Sequence, residues 1–325
     1  MNLLLGALTV GLQLALLSLG VFFSFRVLRS LDLTTDGAFA TGGAVTVALL
    51  VAGAHPVTAT FAGGLSGTLA GTITGIIHTR WRVDVILAGI LVTTGLYSID
   101  LYVMGTGNLS VATRPTVFDL AAALFPAGAS PEGASRSRDL VALVALVLIV
   151  GFHGMLIAWF VGTDLGLALR ATGSSPRMAK ASAIDTGLAT TFGLALGNGC
   201  AGLSGALFAQ YQGFANVQMG MGMMVTGLAS VILGEALFFQ RTIRQRIAAA
   251  LLGALVFRLL VAGALQAGLD PNALKLATAA FVLAALTIPQ LVRRLRRAGA
   301  VGGFRSSGPI EGACRRTYIH NSRAI

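Results

Sequence analysis

The sequence predicts an all-α membrane protein, a polytopic bundle of about nine transmembrane helices within a range of roughly eight to ten. Of its 325 residues, 55% are hydrophobic and 11% are charged, and the mean hydropathy is +0.82. Soluble proteins carry about a quarter of charged residues. The apolar stretches reach the roughly 20 residues that a helix needs to cross a hydrocarbon core. An outer-membrane barrel would instead show alternating strands of about ten residues.

The predicted spans are the apolar segments that lie between charges and turn signals. In chain order they are 3–25, 37–54, 57–77, 85–104, 140–161, 186–211, 221–239, 247–265 and 273–291. The first segment lacks the basic leader and the small-residue cleavage site of a signal peptide and is too long for one, so we expect it to remain as a span. His55 and Pro56 separate the second span from the third.

Charge and proline set the remaining boundaries. Arginine clusters end the first and third spans and precede the eighth. The fourth span is followed by a segment with three prolines, 105–139, in which 118–125 is predicted as a short surface helix that contacts an external partner. A polar loop, 162–185, separates the fifth span from the sixth.

Lys and Arg are distributed unequally between the two sides that these spans define. One side holds Arg114, Arg136, Arg138 and Lys275, a span holds Arg258, and the others of the 23 basic residues lie on the opposite side. Because basic loops stay cytoplasmic, we expect the N-terminus outside and the C-terminus in the cytoplasm. Short basic clusters between long uncharged runs indicate membrane topology and not nucleic-acid binding.

The C-terminal segment 298–325 is rich in Gly, Ser and Arg and has no apolar periodicity. This composition predicts a disordered basic tail after a transmembrane domain at 1–297. The two cysteines, Cys200 and Cys314, are too few and unsuitably placed for a disulfide framework or a metal site. We therefore expect no metal on this chain.

Small residues recur along two of the predicted spans. The third span carries Gly63, Gly67, Gly71 and Gly75, and the sixth carries Gly193, Gly197, Ala201 and Gly205. Stripes of this kind let two helix backbones approach closely in lipid, which predicts helix packing. Sliding of the helices during transport is the alternative interpretation.

Two acidic residues begin predicted spans with similar segments. Asp36 opens DGAFAT in the second span, and Asp185 opens DTGLAT in the sixth. The orphan N–H groups and the dipole of a helix N-terminus favour an acid there, so capping of its own helix is the predicted role of each. The similarity of the two segments also suggests an internal repeat.

Further polar residues lie within the predicted spans. Glu235 lies about 9 Å and Arg258 about 18 Å from the nearest cytoplasmic arginines, at 1.5 Å per residue. Because charges are costly in lipid, we predict that these two residues pair, with substrate contact as the alternative. Asn198, Gln210 and Gln212 follow one route along the sixth span. Together with Asp36, these residues are candidates for a translocation path, and interhelical hydrogen bonding is the alternative for Asn198.

Several motifs are missing from the sequence. It contains no GxxxxGK[ST] phosphate loop, no HExxH pair and no GxSxG elbow. It also lacks the several membrane acids typical of a proton-driven carrier. We therefore expect this chain not to be an enzyme, so transport would be passive or draw its energy from elsewhere.

The loop between the fifth and sixth spans predicts a compact helical hairpin at 163–181. A short helix ends at Gly173, a turn passes through Pro176, and a second short helix follows. We refer to this segment as the 163–181 hairpin, and its compactness and basic residues indicate a docking element.

Four segments carry recognisable motifs. They are Thr-x-x-Gly-x-x-x-Arg-Ala-x-Gly at 163–173, Ala-Gly-Leu-Ser-Gly-Ala-Leu at 201–207, Leu-Asp-Leu-Thr-Thr-Asp-Gly at 31–37, and the Gln-Tyr-Gln-Gly-Phe and Ile-Leu-Gly-Glu pieces within 205–239. Over residues 3–297 the sequence resembles the permeases of bacterial ABC importers in the branched-chain amino acid and ribose group. The nearest resemblance is to the subgroup paired with lipoprotein-type solute-binding proteins, some of which carry aromatic amino acids.

This resemblance implies a type II ABC importer-like bundle in a bacterial plasma membrane, working as a homodimer or with a paralogue. It implies two cytoplasmic ATPase subunits, which bind ATP and Mg²⁺, and an external solute-binding lipoprotein. It also assigns the 163–181 hairpin to coupling with the ATPase, with the residues Gly166, Arg170, Ala171, Gly173, Pro176, Arg177 and Lys180. Solutes of this group are amino acids or sugars, and the nearest subgroup implies an amino acid-like solute, aromatic or branched-chain. A secondary transporter for a small polar solute is the alternative, followed by a membrane scaffold without transport.

Overall fold

The computed structural model describes residues 2–111, 114–123, 131–238 and 240–268, together with isolated positions between 273 and 287. The chain separates into two compact units, 1–285 and 286–325, and Thr287 is the one described residue of the second. The predicted tail 298–325 and most of the predicted ninth span, 273–291, lie outside the described residues.

The regular secondary structure of the described chain consists of α-helices, two short strands and a π-helical turn. The helices are α1 (Asn2–Phe22), α2 (Thr34–Val51), α3 (Pro56–Trp81), α4 (Val85–Met104), α5 (Val117–Ala123), α6 (Pro131–Phe160), α7 (Asp164–Ser174), α8 (Pro176–Ala181), α9 (Thr186–Gln212), α10 (Met223–Leu237) and α11 (Ile243–Gln266). The π-helical turn, Phe23–Val27, extends α1. The strands β1 (Asn108–Ser110) and β2 (Phe214–Asn216) pair antiparallel.

Seven helices of the described part are long and apolar enough to cross a membrane. They are Leu4–Val27, Thr34–Val51, Pro56–Trp81, Val85–Met104, Asp139–Phe160, Thr186–Gln212 and Ile243–Gln266. Each matches a predicted span within a few residues. The predicted seventh span corresponds to α10, which has 15 residues and is shorter than a full crossing. The predicted class of polytopic α-helical membrane protein is therefore confirmed, whereas the number nine is not.

Local signals explain where several helices begin and end. The side chain of His55 caps α3, with proline at the first helical position. The carboxylate of Asp84 caps α4 by accepting the N–H of Ile86, and α4 ends at Gly105, which has a positive φ of 67°. Thr242 forms a capping box at the start of α11.

The core of the bundle forms around α9. Helices α1, α2 and α3 all pack on α9, and α1 also contacts α6, α10 and α11. Small residues make α9 narrow enough for three neighbours, and its side chains Leu194 and Leu207 are fully buried. The outer helices α3, α4 and α6 expose large apolar side chains, such as Phe61, Tyr102 and Met155. Such a surface suits contact with lipid or with a partner chain.

The two ends of the bundle differ in composition. At the strand end, β1 and β2 join the segments that follow α4 and α9, and α5 occupies the place predicted for a surface helix. At the basic end, Arg26, Arg29, Arg170, Arg241 and Arg246 line one cavity of about 500 Å³. Loops that the sequence assigned to the cytoplasm thus meet at one end, which agrees with the predicted alternation of spans.

Within the described ranges, two non-helical segments enter the bundle. Helix α2 begins at Thr34, whose hydroxyl lies 2.7 Å from that of Thr74. Thr74 is about 10 Å from the end of α3, at 1.5 Å per residue, so the chain that leads to Thr34 has turned back into the protein. From the strand end, residues 217–222 also run inward, because the N–H of Gly222 bonds to Asp36 near the start of α2. Helix α10 therefore begins inside the bundle, which explains its 15 residues.

Candidate functional site

The 163–181 hairpin has the predicted two-helix form. Thr163 caps α7 by accepting the N–H of Gly166 at 3.4 Å, and Ser175 caps α8 by accepting the N–H of Met178 at 3.4 Å. The first helix continues to Ser174, one residue past the predicted end. Pro176 starts α8 and does not form a turn before it, because a proline is favourable at the first helical position.

The glycines of the hairpin pack it against the basic end of the bundle. A Cβ on Gly166 would overlap the carbonyl of Phe160 at the end of α6, and a Cβ on Gly173 would overlap the carbonyl of Val27 in the π-helical turn. Since backbone atoms cannot move aside as a flexible side chain can, both positions require glycine. The hairpin is thereby held against two transmembrane helices.

The other residues of the predicted coupling set present the free surface of the hairpin. Arg170, Pro176, Arg177 and Lys180 are exposed, and Ala171 is partly buried at the cavity beside Arg170. Met178 adds an apolar side chain that is 72% exposed. The set thus divides into glycines that attach the hairpin and a basic surface that a partner can contact.

Glu235, near the end of α10, forms an ion pair with Arg26 of the π-helical turn. The predicted pair of Glu235 with Arg258 is therefore wrong. Arg258 lies in α11, where it packs near Gly11 of α1, and its Nε is buried without a hydrogen-bond partner among the described residues. The half-length of α10 brings its end level with the π-helical turn, a position that the sequence alone did not indicate.

Removing Arg26 is expected to destabilise the protein, because it leaves the Glu235 side chain, which is 13% exposed, without its cation. The loss in the free energy of unfolding should lie below the roughly 3–5 kcal/mol that is typical of fully buried ion pairs. Melting of detergent-purified Arg26→Ala should show a lower midpoint, and the double variant with Glu235→Gln should regain most of it. Arg29→Ala is the control at the same end, and an Arg26→Ala protein as stable as the control would contradict the expectation.

Asn198 lies at the centre of a buried hydrogen-bond network. Its Nδ2 donates to Asp32 Oδ2 at 2.6 Å and to the carbonyl of Leu194 at 2.9 Å. Asp32 Oδ1 accepts the N–H of Thr34 at 2.9 Å. Asp32 is 1% exposed and Asn198 is fully buried. The network fixes the inward-running segment before α2 to α9, so the geometry favours interhelical hydrogen bonding over an open path at this residue.

Asp32 was not among the predicted site residues. Asp32 appeared only within the Leu-Asp-Leu-Thr-Thr-Asp-Gly motif, which begins between the first and second predicted spans. An acidic residue directly before a threonine-rich helix start was the one available signal, since such residues commonly cap helices.

Gln210 also connects helices. Its Nε2 donates to the hydroxyl of Thr60 in α3 at 2.7 Å, and its Oε1 accepts the N–H of Val117 at the start of α5 at 3.0 Å. Gln212, at the end of α9, is exposed. These two candidates for a path therefore lie at the strand end, where Gln210 holds α3, α5 and α9 together.

Asp36 and Asp185 have different roles although their segments look alike. Asp185 caps its own helix by accepting the N–H groups of Gly187 at 2.8 Å and Leu188 at 3.0 Å. Asp36 instead lies inside α2 and accepts the N–H groups of Gly222 at 3.0 Å and Met224 at 2.6 Å. Asp36 therefore caps α10, and the prediction that it caps its own helix is wrong. The start of α2 at Thr34 leaves the Asp36 side chain free to reach another helix.

A second unpredicted acid lies near Asp36. Asp100 of α4 is 1% exposed, and it lines a cavity of about 140 Å³ together with Asp36, Tyr97 and Gln218. We call this space the acidic cavity. In the described ranges, no group of three or more His, Cys, Asp or Glu side chains is placed to hold a metal ion.

The glycine stripes contact different neighbours. In α3, a Cβ on Gly67, Gly71 or Gly75 would meet α9. The atoms that it would meet belong to Asn198, Gly202, Leu194 and Thr191. A Cβ on Gly63 would first meet Thr46 and Gly42 of α2 and then Ala206 of α9. In α9, Gly193 faces the side chains of Leu28 and Leu169. Gly197 faces the carbonyl of Gly20, and Gly205 faces the carbonyl of Phe39. The α9 helix thus uses two faces, one for α3 and another for α1, α2 and the hairpin.

Several known proteins are similar to this chain. It is 32% identical over 297 residues, 91% of this chain and 95% of the relative, to the tyrosine transport system permease protein of Clostridioides difficile (strain R20291). It is also 32% identical over 287 residues, 85% of this chain and 94% of the relative, to an uncharacterized protein of Rickettsia prowazekii (strain Madrid E). Identity to the D-allose transport system permease protein of Escherichia coli (strain K12) is 28% over 227 residues, 69% of this chain and 64% of the relative. No solved structure matches the chain.

The family described as "Branched-chain amino acid transport system / permease component" matches residues 3–288. Apart from Asn2, that range includes all the helices described above, the 163–181 hairpin, the buried network at Asn198 and the acidic cavity. A polytopic α-helical bundle with this match is an ABC transporter permease, and the chain belongs to the branched-chain amino acid transport system permease family.

Proposed function

We propose that this chain is the permease subunit of an ATP-binding cassette importer that moves a small amino acid-like solute across a bacterial plasma membrane. A second permease copy or a paralogue completes the translocation path. Two cytoplasmic subunits bind and hydrolyse ATP with Mg²⁺, and an external lipoprotein delivers the solute. The N-terminus lies outside, and the basic end with the C-terminus lies in the cytoplasm, because basic loops are retained there.

The single observation that carries this proposal is the construction of the 163–181 hairpin. Gly166 and Gly173 hold it against the ends of two transmembrane helices, and Arg170, Arg177 and Lys180 are exposed on its surface. A partner that pushes on this surface would move α6 and the π-helical turn with it. Such a rigid, basic element suits coupling to a cytoplasmic motor, and it has no evident role in a carrier that works alone.

The nature of the solute is inferred from the relatives. The relative named for tyrosine is matched over 95% of its length, and the relative named for D-allose over 64% and at lower identity. This difference supports an amino acid as the solute, with an aromatic or a branched side chain. It agrees with the family description, which names branched-chain amino acids.

The described contacts suggest a route for the motion. ATP binding would close the two ATPase subunits and displace the hairpin, which contacts Val27 through Gly173. The ion pair of Arg26 with Glu235 would pass this motion to α10, whose other end is held by Asp36. Packed helices move as rigid units and not as elastic ones, so the path would open alternately to the two sides.

Arg170→Glu reverses the charge of an exposed hairpin residue. This variant is expected to lower ATP-driven uptake of L-tyrosine into right-side-out vesicles at least about tenfold, because a like charge at an interface opposes docking. The vesicles contain the permease with its genomically neighbouring ATPase and lipoprotein. Arg80→Glu is the control, since Arg80 is also exposed at the basic end but lies outside the hairpin. Co-purification of the ATPase should fall with Arg170→Glu and not with Arg80→Glu.

Two outcomes of this assay would contradict the proposal. One is uptake that a proton or sodium gradient supports without ATP, which would identify a secondary transporter. The other is unchanged uptake and unchanged ATPase association in Arg170→Glu, which would place the coupling contact elsewhere.

A further inference from the structure

We propose that the acidic cavity binds the protonated amino group of the transported solute and that the Asp100 carboxylate is its counter-charge. This inference rests on the proposed function and specifies the solute as an amine, not a neutral sugar. The argument uses the depth of the cavity, the state of its two carboxylates and the composition of its wall.

The acidic cavity lies deep within the bundle. Helices α2 and α4 run side by side in the same direction: Thr93 donates to the carbonyl of Leu33 at 3.0 Å, and Asp100 lies beside Thr41. Thr41 precedes Val51, the end of α2, by ten residues, which is about 15 Å along the helix. Asp100 also precedes Met104, the end of α4, by four residues, or about 6 Å. Asp100 therefore lies about 6–15 Å below the strand end of a hydrocarbon core about 30 Å thick.

Non-helical backbone forms one wall of the cavity. Residues 217–221 run down from the strand end, and Val217, Gln218, Gly220 and Met221 line the cavity. Irregular backbone at membrane depth is tolerated where it is buried in protein or lines a water-filled space. In transporters, solute sites commonly lie at such breaks near the middle of the membrane.

The two carboxylates of the cavity differ in their hydrogen bonding. Both oxygens of Asp36 accept backbone N–H groups of α10. Both oxygens of Asp100 are buried, and neither accepts a hydrogen bond of normal geometry from the described residues, although the Thr41 hydroxyl is adjacent. Among the described residues that line the cavity, none is Lys, Arg or His. A membrane-buried acid normally has a charged or hydrogen-bonding partner. The Asp100 carboxylate has no cationic partner among the lining residues, and a cationic ligand would supply one.

The cavity has room for a cationic group and an opening for the rest of a solute. Its volume is about 140 Å³, and Tyr97 and Met221 line it while remaining 43% and 64% exposed. A protonated amine could therefore reach Asp100, with the remainder of the solute extending between these two side chains. The bond would be charge-assisted, and such bonds are about twice as strong as neutral ones. A neutral sugar would leave the Asp100 carboxylate without a counter-charge.

The first test uses the purified full-length permease in lipid nanodiscs without the lipoprotein, so that the lipoprotein's own selectivity does not enter. Tyramine has an amine and no carboxylate, and 3-(4-hydroxyphenyl)propionate has the same ring and no amine. We expect tyramine to bind the wild type at least about tenfold more tightly than the propionate. Equal binding of the two probes, or no binding of tyramine, would overturn the inference, and this comparison requires no variant.

The second test compares variants of α4. Asp100→Asn should lose the preference for tyramine and should lower ATP-driven uptake of L-tyrosine at least about tenfold. Asp84→Asn is the matched control, because it removes the same charge from the other end of α4, where an asparagine can still cap the helix. Wild-type binding and uptake in Asp100→Asn would overturn the inference.

The two proposals fail in different ways. If the wild-type assembly shows no ATP-driven uptake of any solute, the proposed function is wrong. If that uptake is present but tyramine and the propionate bind alike, only the assignment of the acidic cavity is wrong. Melting midpoints and gel filtration of both variants show whether Asp100→Asn is folded.

Discussion

Replacing Asn198 with Asp is expected to leave little folded protein in the membrane fraction. Asn198 Nδ2 lies 2.6 Å from Asp32 Oδ2, and both side chains are buried. The substitution would place two carboxyl groups in contact, so that they repel or one must take up a proton. An uncompensated buried charge costs about 3–5 kcal/mol, which is a large part of the roughly 5–15 kcal/mol that stabilises a folded protein.

A swapped double variant provides the decisive control for this prediction. In Asp32→Asn with Asn198→Asp, the amide lies at position 32 and can donate to the new carboxylate, while its oxygen still accepts the N–H of Thr34. We expect the double variant to recover part of the folded yield and melting midpoint that Asn198→Asp loses, measured by fluorescence-detected gel filtration. Recovery stays below the wild type because a carboxylate at position 198 cannot donate to the carbonyl of Leu194. Asn216→Asp is a second control, because its oxygen keeps its acceptor role toward the N–H of Gln218. No recovery in the double variant would contradict the assigned contact.

A large loss of stability is also expected from Gly67→Ala, at the interface of α3 and α9. A Cβ on Gly67 would overlap the carbonyl of Asn198 and approach the Cα of Gly202 at 2.9 Å. Both are backbone atoms, so the two helices must separate to admit a methyl group. Overpacking of this kind typically costs about 1–3 kcal/mol. We expect the upper part of that range for Gly67→Ala, since α3 and α9 form the most extensive helix pair of the described bundle.

Gly64 provides a matched comparison on the same helix. A Cβ on Gly64 would lie 3.5 Å from the Cβ of Leu203, an ordinary contact. Gly64→Ala should therefore have a melting midpoint close to that of the wild type. The midpoint should rise slightly, because alanine is the better helix former. Similar melting midpoints for Gly64→Ala and Gly67→Ala would show that the close approach of these helices does not limit stability.

Both predictions concern contacts that also bear on transport. The Asn198 network fixes the segment before α2, and α2 provides Asp36, which holds the start of α10 beside the acidic cavity. A variant that folds with a weakened network should therefore alter transport as well as stability.

The sequence by itself determined the class of the protein and the positions of most helices. The predicted span 85–104 coincides with α4, and the hairpin at 163–181 appears with one residue of difference. These features depend on local properties. The transfer of an apolar segment into lipid depends on that segment's own composition, and a helix end depends on the few residues that cap it.

Only the tertiary structure decided which polar groups meet. Arg26 and not Arg258 pairs with Glu235, Asp36 caps α10 and not its own helix, and Asp32 and Asp100 became candidates only when their surroundings were visible. The half-length of α10 has the same origin, since residues 217–222 run inward before it starts. The physical reason is that helix neighbours and their relative heights are set by close backbone contacts between residues far apart in the chain, such as Gly67 with Asn198. Hydropathy along a single sequence contains no information about those contacts.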